Sequence, residues 1–156
     1  MSDMPDASLT KPRATILLIE DNLADQEMTR RALARVDGSI QLVIVDDGER
    51  ALDYLLQRDA YGSNDAAPRP DLVLLDLNLP KLSGKELICC IRREERLRHL
   101  PLLVLTTSQA EEDVLESYRL GCNSYLVKPS RFDQFVATID RVVQYWLATV
   151  CRPPKS

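Results

Sequence analysis

Five short apolar runs set the strongest limit on what this chain can become. Thr15–Ile19 (TILLI), Gln41–Val45 (QLVIV), Asp71–Leu75 (DLVLL), Leu102–Leu105 (LLVL) and Ser124–Val127 (SYLV) alternate with longer segments of helical periodicity, over Asp25–Arg35, Gly48–Leu56, Gly84–Arg93, Glu111–Leu120 and Phe132–Leu147. Runs that are apolar at consecutive positions, not at every second one, suit strands covered on both faces. The segments between them carry apolar stripes, such as Ala51, Leu52, Leu55 and Leu56, or Phe132, Phe135, Val136, Ile139, Val142, Val143 and Trp146. The alternation predicts five βα units, right-handed crossovers and a parallel sheet between helices: an α/β protein. At 156 residues and 45% hydrophobic content the chain suits one domain. Its expected limits are 14–150, between an N-terminal tail at 1–13 and a C-terminal tail at 151–156. The longest connection, Gln57–Pro70, is expected to be a surface excursion.

Charge and cysteine usage mainly exclude. A net charge of −4 and a pI near 5.1 argue against a general affinity for nucleic acid or an anionic membrane, since both require a basic face. Cys89, Cys90, Cys122 and Cys151 form no C-x-x-C pair, and the single His99 completes no zinc set. No stretch approaches the roughly 18 apolar residues of a membrane span, and MSDMPDASLTKP has no apolar core of a signal peptide. The expectation is a cytoplasmic protein with reduced thiols. No G-x-G-x-x-G or P-loop follows any run, which removes a nucleotide-binding reading.

The segment RPDLVLLDLNLP poses the chemical question, because its apolar strand runs straight into Asp76. An ionised carboxylate without a partner costs several kcal/mol to bury. In open α/β sheets, ligands bind outside the carboxyl ends of the strands. There the first strand ends in Glu20-Asp21, the third in Asp76, the fourth in Thr106-Thr107 and the fifth in Lys128-Pro129. Asp76 is therefore not alone. The three acids form a like-charge cluster that calls for a cation, and oxygen-only ligands suit Mg²⁺ with part of its water shell. A carboxylate so placed is a candidate nucleophile for a phosphoryl group. The Lys128 ammonium and the Thr106 hydroxyl would neutralise and bind the phosphoryl oxygens.

The motifs ILLIEDN (Ile16–Asn22), LLDLNLPKLSG (Leu74–Gly84), LTTS (Leu105–Ser108) and GCNSYLVKP (Gly121–Pro129), in this order and spacing, resemble the receiver domain of two-component response regulators. The resemblance covers about Thr15 to Leu147. It implies a flavodoxin-like, doubly wound (βα)5 sheet with strand order 2-1-3-4-5. It further implies Asp76 as phosphoacceptor, Glu20, Asp21, Asp76 and the Asn78 carbonyl as Mg²⁺ ligands, and Thr106 and Lys128 as readers of the phosphoryl group. Tyr125 would be the switch aromatic, turning inward as Thr106 is drawn toward the new charge. The resemblance also implies a cis Lys128–Pro129 bond. Glu20 stands where Asp is commoner, and Ser83 where an Asp often precedes the loop glycine. By this resemblance the chain is a signalling module, not an enzyme in its own right, although it assists its own phosphorylation and dephosphorylation.

The long insert, the Thr106-Thr107-Ser108 run and the ending YWLATVCRPP resemble single-domain regulators that accompany phytochrome histidine kinases. Only the segment Leu147–Ser156 follows Trp146, so no output domain is expected and the signal would pass through protein contacts or phosphoryl relay. Tyr145, Trp146 and Leu147 extend beyond the core stripe, and with the subgroup resemblance they suggest a symmetric homodimer. In the alternative, Trp146 folds back onto its own domain. Two other functions compete. An Asp-nucleophile, Mg²⁺-dependent phosphatase wants its nucleophile on the first strand and a second Asp two residues on, where this chain has Asn78. A pseudo-receiver would have lost Asp76, Asp21 or Lys128. For single residues plainer roles stay open: Glu20-Asp21 as a helix cap, His99 as an exposed loop residue, the cysteines other than Cys151 as core fillers.

Overall fold

A computed structural model describes residues 13–62 and 67–155. Residues 1–12 of the expected N-terminal tail, residues 63–66 of the long insert and Ser156 lie outside the described residues. The strands are β1 (Ala14–Ile19), β2 (Ile40–Val45), β3 (Leu72–Leu75), β4 (Leu102–Thr106) and β5 (Ser124–Val127). The helices are α1 (Leu23–Val36), α2 (Gly48–Leu55), α3 (Gly84–Arg93), α4 (Glu111–Leu120) and α5 (Phe132–Val143). All neighbouring strands pair in parallel, in the order β2-β1-β3-β4-β5.

The continuous apolar runs are explained by two cores, one on each face of the sheet. Leu17, Ile19, Val73, Leu75, Leu102 and Val104 point to the face covered by Ala51, Tyr54 and Leu55 of α2 and Leu87, Ile88 and Ile91 of α3. Ile16, Leu18, Leu72, Leu74, Leu103 and Leu105 point to the other, under Ala32 and Leu33 of α1 and Phe135, Ile139, Val142 and Val143 of α5. Successive side chains on a strand alternate faces, so a strand sandwiched this way has no polar side.

Several expectations shift in detail. Asn22, not Asp21 or Glu20, caps α1, its side chain accepting the Asp25 N–H at 2.9 Å, and the helix accordingly starts before Asp25. Ser83 opens α3 with a reciprocal capping box to Glu86. The last helix is regular only to Val143; Gln144–Thr149 form a wider π-helical turn. Leu147, four residues past the buried Val143, continues that face into the α1/α5 core at 8% exposure, while Tyr145 stays outside at 53%. Leu147 is thus a core residue of its own domain. Trp146 is half-buried against the same core, its ring edge-on to Tyr145 at 5.4 Å. There is no cis peptide bond among the described residues, so Lys128–Pro129 is trans. The lysine needs no special peptide geometry, since its backbone N–H is fixed on the Thr106 carbonyl at 2.7 Å and its ammonium by carboxylates. The segment expected as a C-terminal tail is tied to the sheet: Arg152 and Lys155 both reach Asp71.

Candidate functional site

The carboxyl ends of β1, β3, β4 and β5 converge as the topology requires. Glu20 follows β1 and is 1% exposed; Asp76 follows β3 and is 8% exposed; Asp21 beside them is open to solvent. One oxygen from each of the three lies within 4.8 Å of the other two. Lys128, just after β5, reaches both buried acids of the site. Its Nζ donates to Glu20 Oε1 at 2.5 Å and Asp25 Oδ2 at 3.0 Å, and lies 3.5 Å from Asp76 Oδ2.

Burial pushes the Glu20 carboxyl up, and the charge of Asp76 adds to it, while Lys128 pulls the other way. Burial also opposes the Lys128 ammonium, yet hydrogen bonding to Glu20 and Asp25 and the charge of Asp76 outweigh it and raise the group. The site is a set of anions sharing one ammonium. Like charges this close are held together only by a cation or at a cost, and an all-oxygen set at this spacing fits a hard divalent ion that keeps some of its waters.

Thr106 closes the site from β4. It is fully buried, and its Oγ1 has no hydrogen-bond partner among the described residues. A buried hydroxyl without a partner costs about 1–3 kcal/mol, which marks a group aimed at something other than its own core. Asn78 is exposed, and its backbone N–H donates to Asp76 Oδ1 at 3.4 Å. Gly84 lets α3 start directly against the Asp76 loop: a Cβ there would lie 2.4 Å from the Asp76 carbonyl oxygen and 2.6 Å from Leu77 Cα. No larger residue fits without moving that loop.

The model of the response regulator receiver domain matches residues 16–140. The chain belongs to that family. Among the relatives of this receiver, the response regulator Rcp1 of Synechocystis is 38% identical over 92% of this chain and 96% of its own length. Two crystal structures are similar over 90% of this chain and 99% of theirs, each at 38% identity. One is the phosphorylated cyanobacterial phytochrome response regulator RcpA, with a TM-score of 0.84; the other is the Mn²⁺-bound form of Rcp1, with a TM-score of 0.80.

The receiver brings Glu20, Asp21, Asp76 and Lys128 into one cluster, with Thr106 on the adjoining strand. Tyr125 lies farther along β5, half-buried against the α2/α3 core, with its hydroxyl donating to the Ser108 carbonyl at 3.0 Å. Tyr145 and Trp146 are on the last helix, outside the cluster. Thr107 is exposed beside Thr106 and adds nothing to it. Sequence reasoning passed over Asp25, the second carboxylate on Lys128, and Gln26, whose Nε2 donates to the Glu20 carbonyl at 2.6 Å. Both sit in the first turn of α1, three and four residues after its cap, a spacing that turns them toward the sheet edge. No helix among the described residues is long and apolar enough to cross a membrane.

Proposed function

We propose that Asp76 is the phosphoacceptor of this response regulator and takes its phosphoryl group from the phosphohistidine of a sensor kinase. One observation carries the reading. A carboxylate at the carboxyl edge of the sheet stands 3.5 Å from a buried ammonium, inside a group of acid oxygens spaced for a divalent ion. Glu20, Asp21, Asp76 and the Asn78 carbonyl are the proposed ligands of Mg²⁺, which when bound neutralises charge on the phosphoryl oxygens and on the acids themselves. Asp76 attacks phosphorus in line as the bond to the histidine nitrogen breaks. Lys128 holds positive charge where the acyl phosphate gains negative charge, and its ties to Glu20 and Asp25 keep it from swinging away. The Thr106 hydroxyl donates to a phosphoryl oxygen and so gains the partner it lacks. Displacement of Thr106 carries the β4–α4 loop, residues 107–110, with it and couples the site to Tyr125.

Similarity to Rcp1 and RcpA supports a phytochrome as the partner kinase and a cytoplasmic location for this chain. It also supports signalling by protein contacts from a receiver domain spanning 14–150. A pseudo-receiver role and a phosphatase role find no support in the site, since the acid pocket and lysine are intact and the second acid of a phosphatase is absent at Asn78. Incubation with acetyl phosphate and Mg²⁺ is the test. The wild type should be labelled stoichiometrically and Asp76→Asn not at all, with both proteins folded. Full labelling of the variant would refute the assignment.

A symmetric homodimer, with Tyr145 and Trp146 near its axis, is proposed on the exposure of Tyr145 beside a half-buried Trp146. Sedimentation at micromolar concentration should give a dimer for the wild type and a monomer for Tyr145→Ala, Trp146→Ala. A wild type that runs as a monomer with and without phosphorylation removes the proposal.

A further inference from the structure

A second charged cluster lies beside the site and not in it, between α3 and the start of α4. Lys85 Nζ donates to Asp113 Oδ1 at 2.7 Å and to Glu116 Oε2 at 3.0 Å. The other oxygen of Asp113 accepts the Ser108 hydroxyl at 2.5 Å, and Ser108 Oγ in turn accepts the Ala110 N–H at 3.3 Å. The Ser108 carbonyl is the acceptor of the Tyr125 hydroxyl. One chain of contacts thus runs from α3 through α4 and the β4–α4 loop to the aromatic on β5. Ser108 stands two residues beyond Thr106, on the loop that leads from β4 into α4.

Lys85 occupies the first turn of α3, where the helix dipole disfavours a cation. Its place there is made favourable by the two carboxylates across the helix pair. Asp113 is held below the usual carboxylate range by its bonds from Lys85 and Ser108. Helix α4 has no side-chain cap at Ala110, so Ser108 and Asp113 are what fix its entry. Tyr125 is already turned inward against the core, with its hydroxyl seated on the Ser108 carbonyl.

We propose that Lys85 and Asp113 are positioning residues for the phosphorylation switch: their ion pair clamps Ser108 so that its carbonyl is preset to receive Tyr125. The clamp rests on the phosphoacceptor reading of Asp76. It lowers the cost of reaching the form that a phosphoryl group selects, because a ligand shifts a two-state equilibrium only from where the protein has already set it. Loosening Ser108 returns that cost to the ligand.

The test is the affinity of the full chain for beryllofluoride, a phosphoryl mimic, at saturating Mg²⁺, measured by fluorine NMR. Lys85→Met and Asp113→Asn should each bind about fivefold more weakly than wild type, a coupling at the lower end of those known between sites. Lys85→Arg should restore most of the loss. In a Tyr125→Phe background, which lacks the hydroxyl on Ser108, Lys85→Met should cost nothing further. Unchanged affinity in the single variants overturns the clamp. So does an equal loss with and without the Tyr125 hydroxyl, since that is the signature of general helix support. If Lys85→Met does not fold, Asp113→Asn alone and with Tyr125→Phe gives the same comparison. Failure of the wild type to bind beryllofluoride, or equal binding by Asp76→Asn, would instead remove the phosphoacceptor reading.

Discussion

Strand β3 is flanked by a carboxylate at each end, and the two are held in opposite ways. Asp71, at the amino edge, accepts the Thr15 N–H at 2.8 Å and faces Lys155 at 3.1 Å and Arg152 at 3.6 Å. Asp76, at the carboxyl edge, has a 3.4 Å contact from the Asn78 N–H, a share of Lys128 at 3.5 Å, and two further acids around it. Both side chains are nearly covered, at 9% and 11% exposure. Burial therefore does not distinguish them. What does is whether the protein completes their hydrogen bonding, and the acid it leaves incomplete is the one proposed as the phosphoacceptor.

The widest separation between the two is in labelling. Asp76→Asn should abolish incorporation of phosphoryl from acetyl phosphate, whereas Asp71→Asn, about five residues of strand away, should be labelled like wild type. Loss of labelling in both would erase the distinction. Next in size is the removal of the shared cation. Lys128 and Glu20 have side chains 6% and 2% exposed, and breaking a buried pair from one side costs roughly 3–5 kcal/mol. Urea denaturation at neutral pH without divalent ions should show Lys128→Met destabilised by about that much. Added Mg²⁺ should return part of the loss, because a bound ion supplies the missing positive charge and stabilises the form that binds it. A variant indifferent to Mg²⁺ would mean that the acids do not form an ion site.

Stability separates the two ends of β3 in the other sense. Asp71→Ala strands the Thr15 N–H in a buried strand and should cost about 1–3 kcal/mol; its ion pairs with the more exposed Arg152 and Lys155 add little. Asp76→Ala relieves like-charge repulsion and should leave the urea midpoint unchanged or raised. Equal losses at the two positions would show that Asp76 is a structural acid as well.

The sequence was most readable where one local rule suffices. Runs such as LLVL and TILLI announce two-sided strands, and the rule for open sheets then places Glu20, Asp21, Asp76, Thr106 and Lys128 on one edge without any distance being known. It was least readable where a contact joins residues far apart in sequence. Lys85 and Asp113 look like ordinary helix-surface charges, each with plausible neighbours on its own helix, and only the packing of α3 on α4 makes them partners. The tie of Arg152 and Lys155 to Asp71 is hidden for the same reason. Leu147 misled differently: the stripe through Val143 is already enough to cover the sheet, which makes the apolar residues after it look surplus, yet Leu147, four positions past the buried Val143, continues the same face into the core.

The smallest effect expected comes from the amino edge. Tyr54 of α2 is 1% exposed and donates to the Pro68 carbonyl at 2.6 Å, just before β3. Burial pushes its phenol from 10.0 up to about 12. Above about pH 10 the unfolded chain loses this proton while the folded one keeps it, so the folded state binds more protons and stability falls as pH rises from 10 toward 12. Tyr54→Phe has no such proton. At about pH 8 it should be less stable than wild type by ~1 kcal/mol, the worth of one hydrogen bond, and the gap should close and then change sign before pH 12, because a pKa raised from 10.0 to about 12 is worth about 2.7 kcal/mol in full. Cys122, pushed by burial from 9.0 to about 11, titrates in the same sense in both proteins and drops out of the difference. A gap that stays constant across this range would falsify the burial argument for Tyr54. Labelling of Asp76 should be the same in both proteins, because a group whose bonding is already complete within the fold contributes to stability and has no part in the chemistry at the other edge.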